Sequence, residues 1–163
     1  MSTRSAFVQI RVTPEEKATL KRLAQLSGQD LSSYVLSMSL PATRLRFEEI
    51  LRILCDEADR RFALAELNDL LSGLAPMEFH GTVHTADLAG LSPFLQNYVT
   101  AMVEHAARLK QVASPAWTRS VVPLPLPWFA TPLRGLRLHL LRASPVPFKR
   151  RNLFVDASVG GRV

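Results

Sequence analysis

Residues 6–12, Ala-Phe-Val-Gln-Ile-Arg-Val, alternate in character and are followed by a long stretch of helical sequence. Successive side chains on a strand point to opposite sides. Val8, Ile10 and Val12 therefore share one face, and Phe7, Gln9 and Arg11 share the other. A lone strand exposes a row of unpaired N–H and C=O groups, and no second strand follows nearby to receive them. Pairing with the same strand of a second copy removes the problem. The expected product is a two-stranded antiparallel ribbon whose outer face carries Phe7, Gln9 and Arg11 from each subunit. A ribbon of this kind fits the major groove of duplex DNA.

The residues after the ribbon reinforce the pattern. Thr13-Pro14-Glu15-Glu16 is a helix start, with Thr13 as N-cap, Pro14 in the first helical position and Glu16 closing a capping box. Leu20, Leu23, Ala24 and Ser27 recur at helical spacing, with Lys17, Lys21 and Arg22 on the wet side. Gly28 is placed to end that helix. Asp30 caps a second helix with Leu31, Tyr34, Val35 and Met38 facing inward, and Pro41 stops it. Forty residues bury too little surface to fold alone, so folding is expected to be coupled to dimerisation.

This order, Val8 to Glu16 followed by Leu20, Leu23, Ala24, Gly28 and Ser32-Ser33-Tyr34-Val35, resembles the ribbon-helix-helix DNA-binding domains (Arc/MetJ/CopG-like) of phage, plasmid and antitoxin repressors. The resemblance covers roughly residues 5–41. It implies that Gln9 reads adenine and Arg11 guanine through paired hydrogen bonds. Phe7, with no hydrogen-bonding group, either meets a thymine methyl or stays out of the readout. Arg4 lies where it reaches a phosphate, and Asp30, Leu31 and Ser32 lie where family members hold a phosphate on backbone N–H groups. The alternative reading is that the ribbon only dimerises the protein.

Charge divides the rest of the chain. Residues 1–45 carry a net +3, residues 46–115 a net −4, residues 116–130 a net +1 and residues 131–163 a net +6. Two basic ends flanking an acidic middle imply two separate interaction surfaces. The expected division is a module at 1–41 for DNA binding and dimerisation, and a helical partner-binding domain at 42–163. The expected fold class is mainly α: an N-terminal ribbon-helix-helix, then a helical domain with an extended Pro-rich segment and a short C-terminal strand.

Within 42–163, Phe47, Ile50, Leu51, Leu54 and Ala58 form one apolar stripe, and Leu64, Leu67, Leu70, Leu71 and Leu74 a second. Cys55 falls inside the first pattern and predicts a free thiol in an acidic helix. Residues 76–91 read as irregular, because Gly81, Thr82 and Val83 disfavour a helix. Ser92-Pro93 starts the longest helix, with Phe94, Leu95, Tyr98, Val99, Met102, Ala106 and Leu109 on one face, running to about Val112. Residues 114–130 are rich in proline, with Trp117, Leu124, Leu126, Trp128 and Phe129 interleaved, and predict an extended segment. It either lies across its own domain or wraps a partner. Thr131-Pro132 predicts a last helix with Leu133, Leu136, Leu140 and Leu141 inward and Arg134, Arg137 and Arg142 outward. Lys149-Arg150-Arg151 reads as a solvated basic turn or as part of a second anion-binding surface.

No nucleophile motif, phosphate-cradling glycine loop or metal-ligand spacing is present in the sequence, and no enzyme, cofactor or metal site is expected. His80 and His84 lack a third ligand at a recognisable spacing. A single cysteine and the absence of an apolar leader or membrane span predict a cytoplasmic protein. The expected function is a dimeric, sequence-specific repressor that acts as an antitoxin, with Trp117, Leu124, Leu126, Trp128, Phe129, Arg134, Arg137, Lys149, Arg150 and Arg151 meeting a cognate toxin. Residues 143–152 resemble uncharacterised proteins paired with nucleotidyltransferase-type toxins. The rival readings are a stand-alone ligand-sensing repressor, an accessory DNA-binding protein of plasmid transfer, and an adaptor that uses the ribbon only to dimerise.

Overall fold

The computed structural model describes residues 9–26, 30–32, 34–35, 42–57 and 60–156. The chain divides into two compact units, Met1–Leu40 and Pro41–Val163.

In the first unit, helix α1 spans Pro14–Leu26. Its start is the expected capping box. The Thr13 N–H donates to the Glu16 carboxylate at 2.8 Å, and the Glu16 N–H donates to Thr13 Oγ1 at 3.3 Å. Two donors that the helix itself leaves unused are thereby satisfied. Ala24 is buried and Leu20 half-buried, whereas Lys17, Lys21 and Arg22 face solvent. Leu23, expected on the inner face, is exposed. Residues 31, 32, 34 and 35 are helical, and the Tyr34 N–H donates to the Asp30 carbonyl at 2.9 Å. Residues 9–13 have no regular secondary structure in the single chain. The expected positions Ser27, Gly28, Met38 and residues 6–8 lie outside the described residues.

The second unit is built on four helices: α2 (Ala42–Ile53), α3 (Arg60–Gly73), α4 (Pro76–Val83) and α5 (Pro93–Leu109). Helix α2 packs on α3 and α4, and α3 packs on α5. Phe47, Ile50, Leu51 and Leu54 from the α2 region meet Leu67, Leu71 and Leu74 from the α3 region, with Phe79, Val83, Leu95, Val99 and Val103 completing the core. Both leucine-rich stripes thus face the interior at the spacing the sequence predicts. Ala58 lies outside the described residues.

Helix α5 begins as expected. Ser92 Oγ accepts from the Leu95 N–H at 3.4 Å, with Pro93 in the first turn. It ends at Leu109, short of Val112. Gln111 adopts a left-handed φ of 57°, and the Val112 N–H folds back to the Ala107 carbonyl at 3.0 Å. That pairing is a Schellman closure built without glycine. Leu109, expected on the inner face, is exposed.

The chain then makes a 3₁₀ turn (Ala116–Ser120), strand β1 (Trp128–Phe129), a second 3₁₀ turn (Arg134–Leu136), helices α6 (Arg137–Ala143) and α7 (Val146–Lys149), and strand β2 (Leu153–Phe154). β1 and β2 pair in parallel, Trp128 against Leu153 and Phe129 against Phe154. Parallel strands need a crossover, and α6 and α7 supply it. Asn152 turns the chain into β2 with φ of 57°, and its Nδ2 donates to the Leu124 carbonyl at 2.6 Å. Among the described residues the architecture is mainly α with one small sheet.

Three expectations need correction. Residues 76–83 are helical rather than irregular. Pro76 occupies the first turn, the Glu78 carboxylate accepts from the Ala75 N–H at 3.1 Å, and Phe79, Thr82 and Val83 are buried along one face. That burial outweighs the modest propensity cost of Gly81 and of two β-branched residues. Cys55 lies in a turn after α2 and is exposed, not within a helix, because α2 stops at Ile53. The helix expected from Pro132 begins at Arg137, and among its leucines only Leu140 is buried; Leu133, Leu136 and Leu141 face outward. The segment is too short for its leucines to form one inward stripe, since a 3₁₀ turn precedes it and changes the phase.

Candidate nucleic-acid interface and partner surface

In the first unit, Gln9 and Arg11 are exposed, as readout residues must be. Ile10 and Val12, from the opposite face of the expected ribbon, are also uncovered, at 61% and 42% exposure. They line a groove of about 720 Å³ together with Leu20, Leu31, Tyr34 and Val35, and with the cations Arg11 and Lys17. A single chain therefore leaves Ile10, Val12 and the apolar side of the helices beside them incompletely covered. Asp30 and Ser32 are exposed and Leu31 is half-buried. Arg4 and Phe7 lie outside the described residues.

In the second unit, the residues expected to meet a partner separate into two groups. Arg151 is buried. Its Nη2 lies 2.7 Å from Glu104 Oε1 and also donates to the Thr118 carbonyl at 2.7 Å. Its Nη1 reaches the Val121 carbonyl at 3.2 Å and Asn97 Oδ1 at 3.3 Å. It is thus a clamp holding the proline-rich segment on α5, not the solvated cation expected. Trp117 donates its indole N–H to the Val83 carbonyl at 2.8 Å, and Leu124 packs against the core. Phe129 stacks on Phe154 at 4.8 Å, with the Arg137 guanidinium over its outer face at 4.9 Å. Trp128 leans on Phe94 at 4.8 Å but keeps an exposed edge.

The other group faces solvent: Leu126, Arg134, Arg137 and Arg150. Lys149 is half-buried, and its ammonium donates to the Arg142 carbonyl at 2.8 Å. The proline-rich segment therefore lies largely across its own domain, which answers one of the alternatives left open by the sequence. Glu104 and Asn97, which complete the Arg151 network, were not legible as a pair. They sit seven residues apart on α5, and their partner is remote in sequence.

Electrostatic perturbations are few. Burial, aided by the Arg108 charge, lowers the pKa of His105, whose Nδ1 is buried with no hydrogen-bond partner among the described residues. Burial raises that of Tyr98. Arg46, bonded to Glu49 and Glu66, is held more firmly in its charged form. No group of three or more His, Cys, Asp or Glu is placed to hold a metal among the described residues. His84 is in contact with Arg44 at 3.2 Å and with the Gly81 carbonyl at 3.3 Å.

Residues 2–75 match the family model of NikA-like proteins, described as mobilization protein NikA. The matched span takes in the first unit and helices α2 and α3 of the second; residues 76–163 lie beyond it. No curated protein and no solved structure matches the chain. No helix among the described residues is long and apolar enough to cross a membrane.

Proposed function

We propose that this protein is an accessory DNA-binding protein of plasmid mobilization, acting as a dimer through a ribbon formed by residues 6–12 of two chains. The observation that carries the reading is the match of residues 2–75 to a mobilization protein family, over the segment that presents Gln9 and Arg11 to solvent. The uncovered Ile10 and Val12 and the apolar groove beside them support dimerisation, because a second copy buries all of them at once. In this reading Gln9 and Arg11 meet base edges in the major groove, and the protein acts by binding, without catalysis. The match favours the plasmid-transfer reading over the antitoxin one, since it names a mobilization protein.

The test is binding of the purified full chain to labelled duplexes tiled across the DNA flanking its own gene. Tight binding to one fragment, steeply weakened by salt and absent from shuffled sequence, supports the proposal. Equal binding to every fragment, or none, sinks it. Sedimentation at the same concentrations distinguishes a dimer from a monomer.

A further inference from the structure

From Ala107 to Val155 the sequence holds no aspartate or glutamate, although nine arginines and lysines fall there. Within this stretch five of the seven residues of α6 are exposed, and His139 of α6 faces Asp156 at 3.9 Å. At about 100° per residue, the order around the outer arc of α6 is Arg137, Leu141, Leu138, Arg142. Two leucines are flanked on both sides by guanidinium groups. Leu138 is 68% exposed and Leu141 42%, while Leu140 points the other way into the domain. Arg137 is held in place over the Phe129 ring, and the Lys149 ammonium is tied to the carbonyl of Arg142. Of the two cations that flank the leucines, Arg137 is thus fixed by its ring contact.

We infer that the outer face of α6 docks a second protein through a shallow apolar groove rimmed by carboxylates. Two features select this occupant. Exposed leucines gain nothing from a phosphate backbone, which argues against duplex DNA. Cations here are mostly arginine, whose planar fork pairs with carboxylates in two parallel bonds and is enriched at protein interfaces, whereas a lipid surface takes lysine equally well.

This surface is independent of the ribbon, and so is its test. A photoreactive benzophenone amino acid replaces Leu138 in the full chain, expressed in its native host. The expected result is an adduct with one protein, on a segment where Asp or Glu flanks apolar residues. With that protein purified, Leu138→Asp and Arg142→Glu should each weaken binding at least tenfold. Reversing the contacted carboxylate to arginine in the partner should restore affinity to the Arg142→Glu variant. Met77→Asp, an exposed change on α4, should leave binding unchanged, and all three variants should keep the parent's affinity for DNA. Adducts only with DNA, lipid or a second copy overturn the inference. So does the absence of any adduct, or a complex indifferent to Arg142→Glu.

Discussion

Arg151 and Glu104 form a largely buried ion pair, Nη2 to Oε1 at 2.7 Å, with side-chain exposures of 6% and 19%. They are remote in sequence, and between them the guanidinium also binds the carbonyls of Thr118 and Val121. Removing one member of such a pair leaves the other charge desolvated without compensation. Arg151→Ala should cost about 3–5 kcal/mol of unfolding free energy. Glu104→Gln keeps one acceptor and should cost about 1–3 kcal/mol. Urea unfolding of the full chain, followed by tryptophan fluorescence, measures both. Equal, small effects would show that the proline-rich segment is held by packing alone.

The capping box at α1 makes helicity sensitive to acid. Hydrogen bonds from the Thr13 N–H and hydroxyl lower the Glu16 pKa below its ordinary 4.5. A carboxylate whose folded pKa is depressed stabilises the helix above the unfolded pKa, and that contribution is lost as pH falls through the folded one. Circular dichroism of the parent and of Glu16→Gln should therefore differ at neutral pH and converge well below pH 4.5. A constant difference across the range would rule out the box as its source.

His105 should act with the opposite protonation chemistry and the same direction in pH. Burial and Arg108 lower its pKa from 6.5, so the unfolded chain binds a proton more readily than the folded one. Stability is then full above pH 6.5 and falls as pH drops toward the folded pKa. His105→Gln should remove that part of the pH dependence. A thermal melt series from pH 7.5 to 5 on both proteins tests it, and parallel curves would contradict the assignment.

At the end of α5, Gln111 holds a left-handed φ of 57° that glycine adopts without steric cost. Gln111→Gly should raise stability by about 0.5–1 kcal/mol despite the greater freedom it gives the unfolded chain. Denaturant midpoints decide the sign; a loss would mean that unfolded-state entropy dominates here.

For DNA, Arg11→Ala should cost about 1–3 kcal/mol and relax preference at one base pair, and Gln9→Ala should do the same at another. Competition against single-base variants of the bound fragment reads both effects. A uniform loss across all variants would reassign Arg11 to a phosphate contact.

Local chemistry made much of this protein legible. Thr13, Pro14 and Glu16 specify a helix start with atoms no more than three residues apart, and the box forms as read. Ser92 and Pro93 do the same for α5. The stripes from Phe47 to Leu54 and Leu67 to Leu74 follow from helical period alone, because every turn repeats the same face. The alternation of Gln9 and Arg11 with Ile10 and Val12 is read from the sequence alone, since all four are exposed in the single chain and residues 9–13 form no strand there.

What lay beyond the sequence depended on contacts between residues far apart. Gly81 and Val83 discourage a helix locally, yet α4 forms because Phe79, Thr82 and Val83 find a core assembled from other segments. Arg151 belongs to a run of three cations that looks solvated, and only Glu104, Asn97 and two distant carbonyls make its burial tolerable. The leucines from 133 to 141 have the composition of an inner face, but one short helix has room to bury only Leu140. Propensity and period act within a few residues of chain, whereas the partners that compensate a buried charge or cover an apolar face are chosen only when the whole domain packs.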